Sequence, residues 1–354
     1  MKKTFLLACL LVFAISKCCV AQVKSENLFY MVDTPESFRS FSENIHQIAI
    51  VCPQTYLVSE KGTITGTIDP RVLQLAKENK VKVIPLIVNF DGGFNQELLH
   101  KLLIDSTARK RSIEMMVELA KRHGFAGWQL DLEYLAMNDG ELFNAYYKEI
   151  ADAFRKNNLS LSAALMHVTD VVGGAGLYHR FLYEDWRGGF DYKYLAETGD
   201  FISIMTYDQH TRRTPPGPVA GISWVEKVIT FALNQGVAPE KISMGIPTYG
   251  HYWFADYTKE KGGFVNGRQI PYQQAMHLIK KNNAQPIWNE QAGCYYAFWD
   301  NDGVYEYVYF EDEKSLAKKL EVLKKYKLRG ISVWVLGREA DNFWETLKEN
   351  TTKR

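Results

Sequence analysis

The residues best suited to chemistry stand together in one run, Gly127-Trp128-Gln129-Leu130-Asp131-Leu132-Glu133. In an extended chain, successive side chains point to opposite faces. Gln129, Asp131 and Glu133 therefore share one face, and Trp128, Leu130 and Leu132 share the other. The apolar face needs a hydrophobic layer over it, so the polar face must look into a lumen or groove. Two carboxylates on one face of a strand lie roughly 6–7 Å apart. Where water is restricted, burial and a like-charged neighbour each raise a carboxyl pKa. One carboxyl of the pair is then expected to keep its proton near neutrality. A protonated carboxyl is what a glycosidic oxygen needs as it leaves. The plain alternative is a structural polar cluster at the closed end of a fold. The carboxylates stand at the opposite end of their strand, which argues against it.

Short apolar, β-branched runs recur along the chain between amphipathic stretches. They predict strands at Leu28–Val32, Gln47–Pro53, Val81–Val88, Gly127–Glu133, Leu159–Leu165, Phe201–Asp208, Ile242–Thr248 and Gly330–Gly337. Helices are expected at Ser106–His123, Gly140–Lys156, Trp224–Gln235 and Ala340–Glu349. Strand–helix alternation repeated in this way predicts an α/β fold, the closed (β/α)8 TIM barrel. One face of every barrel strand lines the lumen. Gln129, Asp131 and Glu133 then stack inside it toward the C-terminal end, where barrel enzymes keep their active sites. Two stretches break the rhythm. Thr55–Ile68 reads as a hairpin turning at Glu60-Lys61-Gly62. The segment at about 251–312 contains Gly262-Gly263, a helix over Tyr272–Lys281 and an aromatic run at Tyr295–Phe310. It reads as a small α+β insertion beside the barrel mouth, within a single domain spanning 22–354.

The carboxylate segment resembles the fourth-strand signature DxxDxDxE of glycoside hydrolase family 18, the chitinase family, with Ala126, Gln129, Asp131 and Glu133 at its four positions. Three further segments resemble the same family in order. They are Met205-Thr206-Tyr207-Asp208 on the sixth strand, Gly245-Ile246-Pro247-Thr248-Tyr249-Gly250 at the end of the seventh, and Gly330 to Gly337 with Trp334 on the eighth. The likeness runs from about residue 27 to 345. It implies that Glu133 protonates the leaving oxygen and later activates water, while the substrate's own N-acetyl oxygen attacks the anomeric carbon. It implies that Asp131 orients the acetamido group and that Tyr207 holds its oxygen. Asp208 and Met205 are expected to shape the same subsite, Trp334 to form its floor, and Tyr249 and Tyr30 to line the cleft. Ala126 and Gln129 depart from the signature. An amide cannot take a proton, but Gln129 is expected to donate a hydrogen bond to Asp131 and keep it anionic. His251 stands where many relatives carry Arg. Gln129, Tyr207-Asp208-Gln209-His210 with Gly217-Pro218, and Pro286-Ile287-Trp288 resemble a bacterial branch of spore-cortex and cell-wall N-acetylglucosaminidases.

Other classes have little support. The formal charge is +1, and no basic block suggests nucleic acid. No CxxC or HExxH pattern appears, so neither metal nor cofactor is expected. The expected partner is an oligo- or polysaccharide containing N-acetylglucosamine, bound by a monomer. Lys2 and Lys3, the apolar run Thr4–Ser16 and Cys19-Val20-Ala21 read as an export signal over 1–21, with Cys18 or Cys19 as alternative lipid anchors. No segment reads as a membrane span. Cys52 and Cys294 are expected to be buried thiols. His167 and His210 read as wall residues of the mouth, and Asn89-Phe90-Asp91-Gly92-Gly93 as a rim loop positioned to contact sugar. The reading from another class is a silent sugar-binding protein on the same barrel. It is disfavoured because Glu133, Asp131 and Tyr207 are all present.

Overall fold

The computed structural model describes residues 22–170, 176–256 and 264–353. The 1–21 leader, Cys18 and Cys19, and Gly262-Gly263 lie outside the described residues. Eight parallel strands close into a barrel: Val23–Met31, Ile50–Val58, Leu86–Val88 (preceded by Lys82–Val83), Gly127–Asp131, Ser160–Met166, Phe201–Met205, Ile242–Pro247 and Gly330–Trp334. Each pairs with the next, and the eighth pairs with the first in the register Leu28↔Ser332. This is the (β/α)8 architecture expected from the alternation. The helices Ser106–His123, Gly140–Lys156 and Tyr272–Lys281 form over the residues that the apolar periodicity marks. Asp105 caps the first of these through the N–H groups of Thr107 and Ala108, and Gly124 ends it with a positive φ of 73°.

Alternation along the strands builds two cores. Phe29, Val51, Ile87, Trp128 and Leu130 face outward into the main cluster beneath the helices. Trp128 is fully buried, and its indole N–H donates to the Met116 carbonyl, fixing that helix to the fourth strand. Leu28, Tyr30, Ile50, Cys52, Leu86 and Val88 point the other way and fill the lumen beside the first three strands. Burying large apolar side chains on both faces makes the barrel a packed solid rather than a pore. The thiols of Cys52 and Cys294 are both free and buried.

The hairpin forms, with Tyr56, Leu57 and Val58 opposite Gly66, Thr65 and Ile64. Between the seventh and eighth barrel strands a separate antiparallel sheet rises, made of Tyr249–Asp256, Phe264–Pro271, Ile287–Asn289, Cys294–Asn301 and Val304–Phe310. The Tyr272–Lys281 helix packs on one side of it over Tyr252, Ile270, Ala297 and Val308. Its first strand starts directly after the seventh barrel strand, so Tyr249 and His251 stand beside the mouth. No helix among the described residues is long and apolar enough to cross a membrane.

Candidate active site

The fourth strand ends at Asp131, two residues before the end that the alternation suggests. Glu133 is nonetheless held as firmly as a strand residue. Asn89, fully buried at the end of the third strand, accepts the Glu133 N–H at 2.9 Å and donates to the Glu133 carbonyl at 3.0 Å. The same amide also donates to the Asn95 carbonyl at 3.0 Å. Asn89 is therefore a bracket for the Glu133 backbone and not a sugar-contacting rim residue as expected. The next residue, Tyr134, has a φ of 62°, a left-handed conformation that turns the chain away from the strand direction.

Asp131 is buried at 4% exposure, and its Oδ1 has no hydrogen-bond partner among the described residues. Glu133 is half-buried above it. Burial pushes the Asp131 carboxyl up to about 7. Burial raises Glu133 well above its ordinary range as well, and the nearby charges of Asp131 and Asp208 add to the rise. The Arg187 guanidinium pulls in the opposite direction and does not prevail. Neighbouring carboxyls do not both ionise cheaply, so burial and mutual repulsion push both members of the pair upward.

Gln129 corrects one expectation. Its amide N–H groups donate to Ser162 and Ser203, each at 3.1 Å, and its carbonyl accepts the Tyr30 hydroxyl at 2.7 Å. It makes no hydrogen bond to Asp131 and, with no exposed surface, cannot contact a substrate. The network runs on from Ser203 to Ser332 at 2.8 Å and from Ser332 to Ser243 at 2.6 Å. A neutral, fully paired amide and four serines thus fill the lumen floor beneath Asp131. An unpaired polar atom there would be costly. Tyr30 is part of this floor at 1% exposure and does not reach the cleft.

Tyr207 lies beyond the end of the sixth strand at 6% exposure. Its ring fits because residue 245 is glycine. A Cβ there would sit 2.9 Å from the ring, 2.7 Å from the Ile204 carbonyl oxygen and 2.7 Å from the Thr206 nitrogen. Burial raises its hydroxyl pKa, with Tyr30, Asp131, Asp208 and Glu133 contributing, so the phenol stays a donor. Asp208 has a φ of 59°, and 44% of its side chain is open. Its Oδ1 accepts the Tyr249 hydroxyl at 2.5 Å and lies 3.4 Å from His251 Nε2. Tyr249, expected in the cleft, is 1% exposed and spends its hydroxyl on orienting Asp208. His251 acts from the same side.

Trp334 closes the eighth strand, half-buried, with its ring 5.3 Å from that of Tyr30. The peptide between Trp334 and Val335 is cis. Thr248 clamps it: its N–H donates to the Trp334 carbonyl at 2.8 Å, and its hydroxyl bonds both the carbonyl and the N–H of Val335. Met205, half-buried, ends the sixth strand. His167 contacts the Met205 backbone, and burial together with Arg187 lowers its pKa, so it is a neutral wall residue. His210 lies 3.1 Å from the Pro215 carbonyl. The structure therefore gathers Asp131, Glu133, Tyr207, Asp208, Met205 and Trp334 at the mouth. It sets Gln129, Tyr30 and Tyr249 behind them. Sequence reasoning missed Arg187 and Trp186, on the segment after the fifth strand. It also missed the four lumen serines, isolated hydroxyls on the inward faces of apolar strands.

A (β/α)8 barrel with a buried and a half-buried carboxyl at the C-terminal end of its fourth strand has the form of a barrel glycosidase. The family model "Glycosyl hydrolases family 18" matches residues 53–339, and the chain belongs to that family of hydrolases. The "Cortical fragment-lytic enzyme" of Bacillus subtilis (strain 168) is 30% identical over 318 residues, 87% of this chain and 71% of that protein. The "Uncharacterized glycosylase YvbX" of the same organism is 26% identical over 326 residues, 91% of this chain and 90% of the relative. Among solved structures, the spore cortex-lytic enzyme SleL of Bacillus megaterium QM B1551 superposes with a TM-score of 0.82 at 24% identity. That match covers 94% of this chain and 76% of SleL.

Proposed function

We propose that this hydrolase cleaves β-linked glycans containing N-acetylglucosamine by a retaining, substrate-assisted mechanism. Glu133 protonates the leaving oxygen and then takes a proton from the incoming water. The substrate's acetamido oxygen attacks the anomeric carbon, so no enzyme nucleophile is needed. Asp131 orients the acetamido N–H and stabilises the positive charge that develops on the ring so formed. Tyr207 donates to the acetamido oxygen. Met205, Asp208 and Trp334 enclose the same sugar, with Trp334 as the apolar floor. The observation that carries this reading is the half-buried Glu133 carboxyl at the barrel mouth next to the buried Asp131, where burial first and the Asp131 charge second raise its pKa. Cell-wall glycan is the preferred polymer, supported by the 30% identity to an enzyme named for cortical fragments. Residues 1–21 are proposed to direct export, so that the mature chain starts at Gln22; N-terminal sequencing of secreted protein tests this.

The reaction test compares substrates with and without the N-acetyl group at the cleaved sugar, with products identified by mass spectrometry. The expected result is cleavage of the acetylated substrate alone and tight binding of thiazoline-type inhibitors. Equal turnover of both substrates overturns the mechanism.

A further inference from the structure

Arg187 stands at the mouth, close enough for its charge to act on Glu133 and His167. It ends a π-helical turn, Tyr183–Arg187, a rare geometry that concentrates at functional sites. Its Nε is buried without a partner, and no hydrogen bond or ion pair among the described residues engages its guanidinium. The groups coupled to its charge include the phenols of Tyr192, Tyr178 and Tyr134, Glu133 and the His167 ring. The Tyr192 hydroxyl is already committed to the Met166 carbonyl. Glu133 makes no salt bridge with it. An arginine cannot discharge itself, and burying it unpaired is costly.

The turn is bolted to the catalytic strand. Gln96 bridges the Tyr134 and Asp185 carbonyls, and the Trp186 ring stacks on Tyr134 at 4.3 Å with an interplanar angle of 26°. Tyr134 directly follows Glu133, so Arg187 keeps a fixed relation to the proposed proton donor. A second cation flanks the same platform: the Arg213 guanidinium lies 5.8 Å from the Trp186 ring centre. Flat aromatic faces suit a sugar ring. A planar fork of N–H donors suits a carboxylate.

Resting on the glycosidase reading above, we propose that Arg187 is a specificity-determining residue that pairs with a carboxylate carried directly on the glycan. The lactyl carboxylate of a muramyl residue has this chemistry, and it is free where no stem peptide is attached. A neutral polymer of N-acetylglucosamine leaves the guanidinium unpaired and is the poorer substrate.

The test uses four substrates: peptide-free cell-wall strands, the same strands with their carboxylates amidated, peptide-bearing strands, and chitin oligomers. For the wild-type enzyme, kcat/KM on peptide-free strands should exceed that on amidated strands by roughly tenfold or more, the scale of a charge-assisted pair. This comparison requires no variant. Arg187→Gln, measured at its own pH optimum, should bring that ratio to about one. Equal rates of the wild type on free and amidated strands overturn the proposal. So does an equal loss by Arg187→Gln on all substrates, which would place its action on Glu133 alone. A preference for peptide-bearing strands also overturns it, by moving the recognised carboxylate to the peptide. Calorimetric binding of free and amidated strands to Glu133→Gln reads the same ratio without turnover. A chain that discriminates by binding but cleaves nothing would sink the glycosidase reading and leave this one standing.

Discussion

Replacing Asp131 with asparagine should abolish most activity and yet flatten the dependence of stability on pH. Asp131 is buried at 4% exposure with one oxygen unpaired, and its pKa rises from the ordinary 3.8 to about 7. A carboxyl whose pKa is raised by folding favours the native state while it is protonated. Its contribution is fully present below 3.8 and is lost as pH rises through about 7. In that window the unfolded chain has released a proton that the folded chain retains. Stability therefore falls by about 1.36 kcal/mol per pH unit for this one group. Between pH 5 and pH 8 the wild type should lose about 2–3 kcal/mol through Asp131. The asparagine variant lacks this titration, and its pH-independent cost or gain cancels when the two pH values are compared. Glu133 contributes a slope of the same sign, which weakens in the variant because its charged neighbour is gone. Urea unfolding of both proteins at pH 5 and pH 8 makes the measurement. Parallel stability curves would refute the idea that Asp131 is held above its ordinary pKa by burial.

Two further variants probe how the site is held. Asn89→Ala strips the N–H and carbonyl of Glu133 of their partners and should cost about 1–3 kcal/mol. It should also lower kcat more than it raises KM, which steady-state kinetics beside thermal unfolding would show; unchanged kcat would remove Asn89 from the support of the site. Gly245→Ala places a Cβ against the Ile204 carbonyl, the Thr206 nitrogen and the Tyr207 ring. It should destabilise by about 1–3 kcal/mol and cut kcat/KM through a displaced Tyr207. Wild-type kinetics in this variant would mean that the ring has no fixed role.

The parts of this molecule that were legible in the sequence are those governed by local periodicity. Alternation in Gly127–Asp131 named the lumen face because every second side chain must turn inward, and three helices followed from apolar spacing. Strand ends were less legible. The first strand starts at Val23 among polar residues because Val23–Ser25 pairs with Thr351–Lys353 from the far end of the chain. The fourth stops at Asp131 because Asn89, a side chain, takes over the pairing at Glu133. Partner identity was the least legible. Alternation set Gln129 on the same face as Asp131, but only barrel closure reveals that Ser162, Ser203 and Tyr30 converge on its amide. Tyr249 sits in a motif that reads as cleft-lining, yet its hydroxyl is aimed at Asp208 by the sheet that begins there. Arg187 lies in a segment with no pattern of its own, and its importance appears only once Trp186 is seen against Tyr134.

In the proposed reaction Glu133 supplies the proton to the departing oxygen. Single-turnover rates of Glu133→Gln, measured on an aryl glycoside with an activated leaving group and on an unactivated oligosaccharide, test it most directly. An activated phenolate departs without protonation, so its bond-breaking step should slow little. The oligosaccharide should slow by roughly 10²–10⁴. Equal slowing on both substrates, or none on the oligosaccharide, would contradict the assignment.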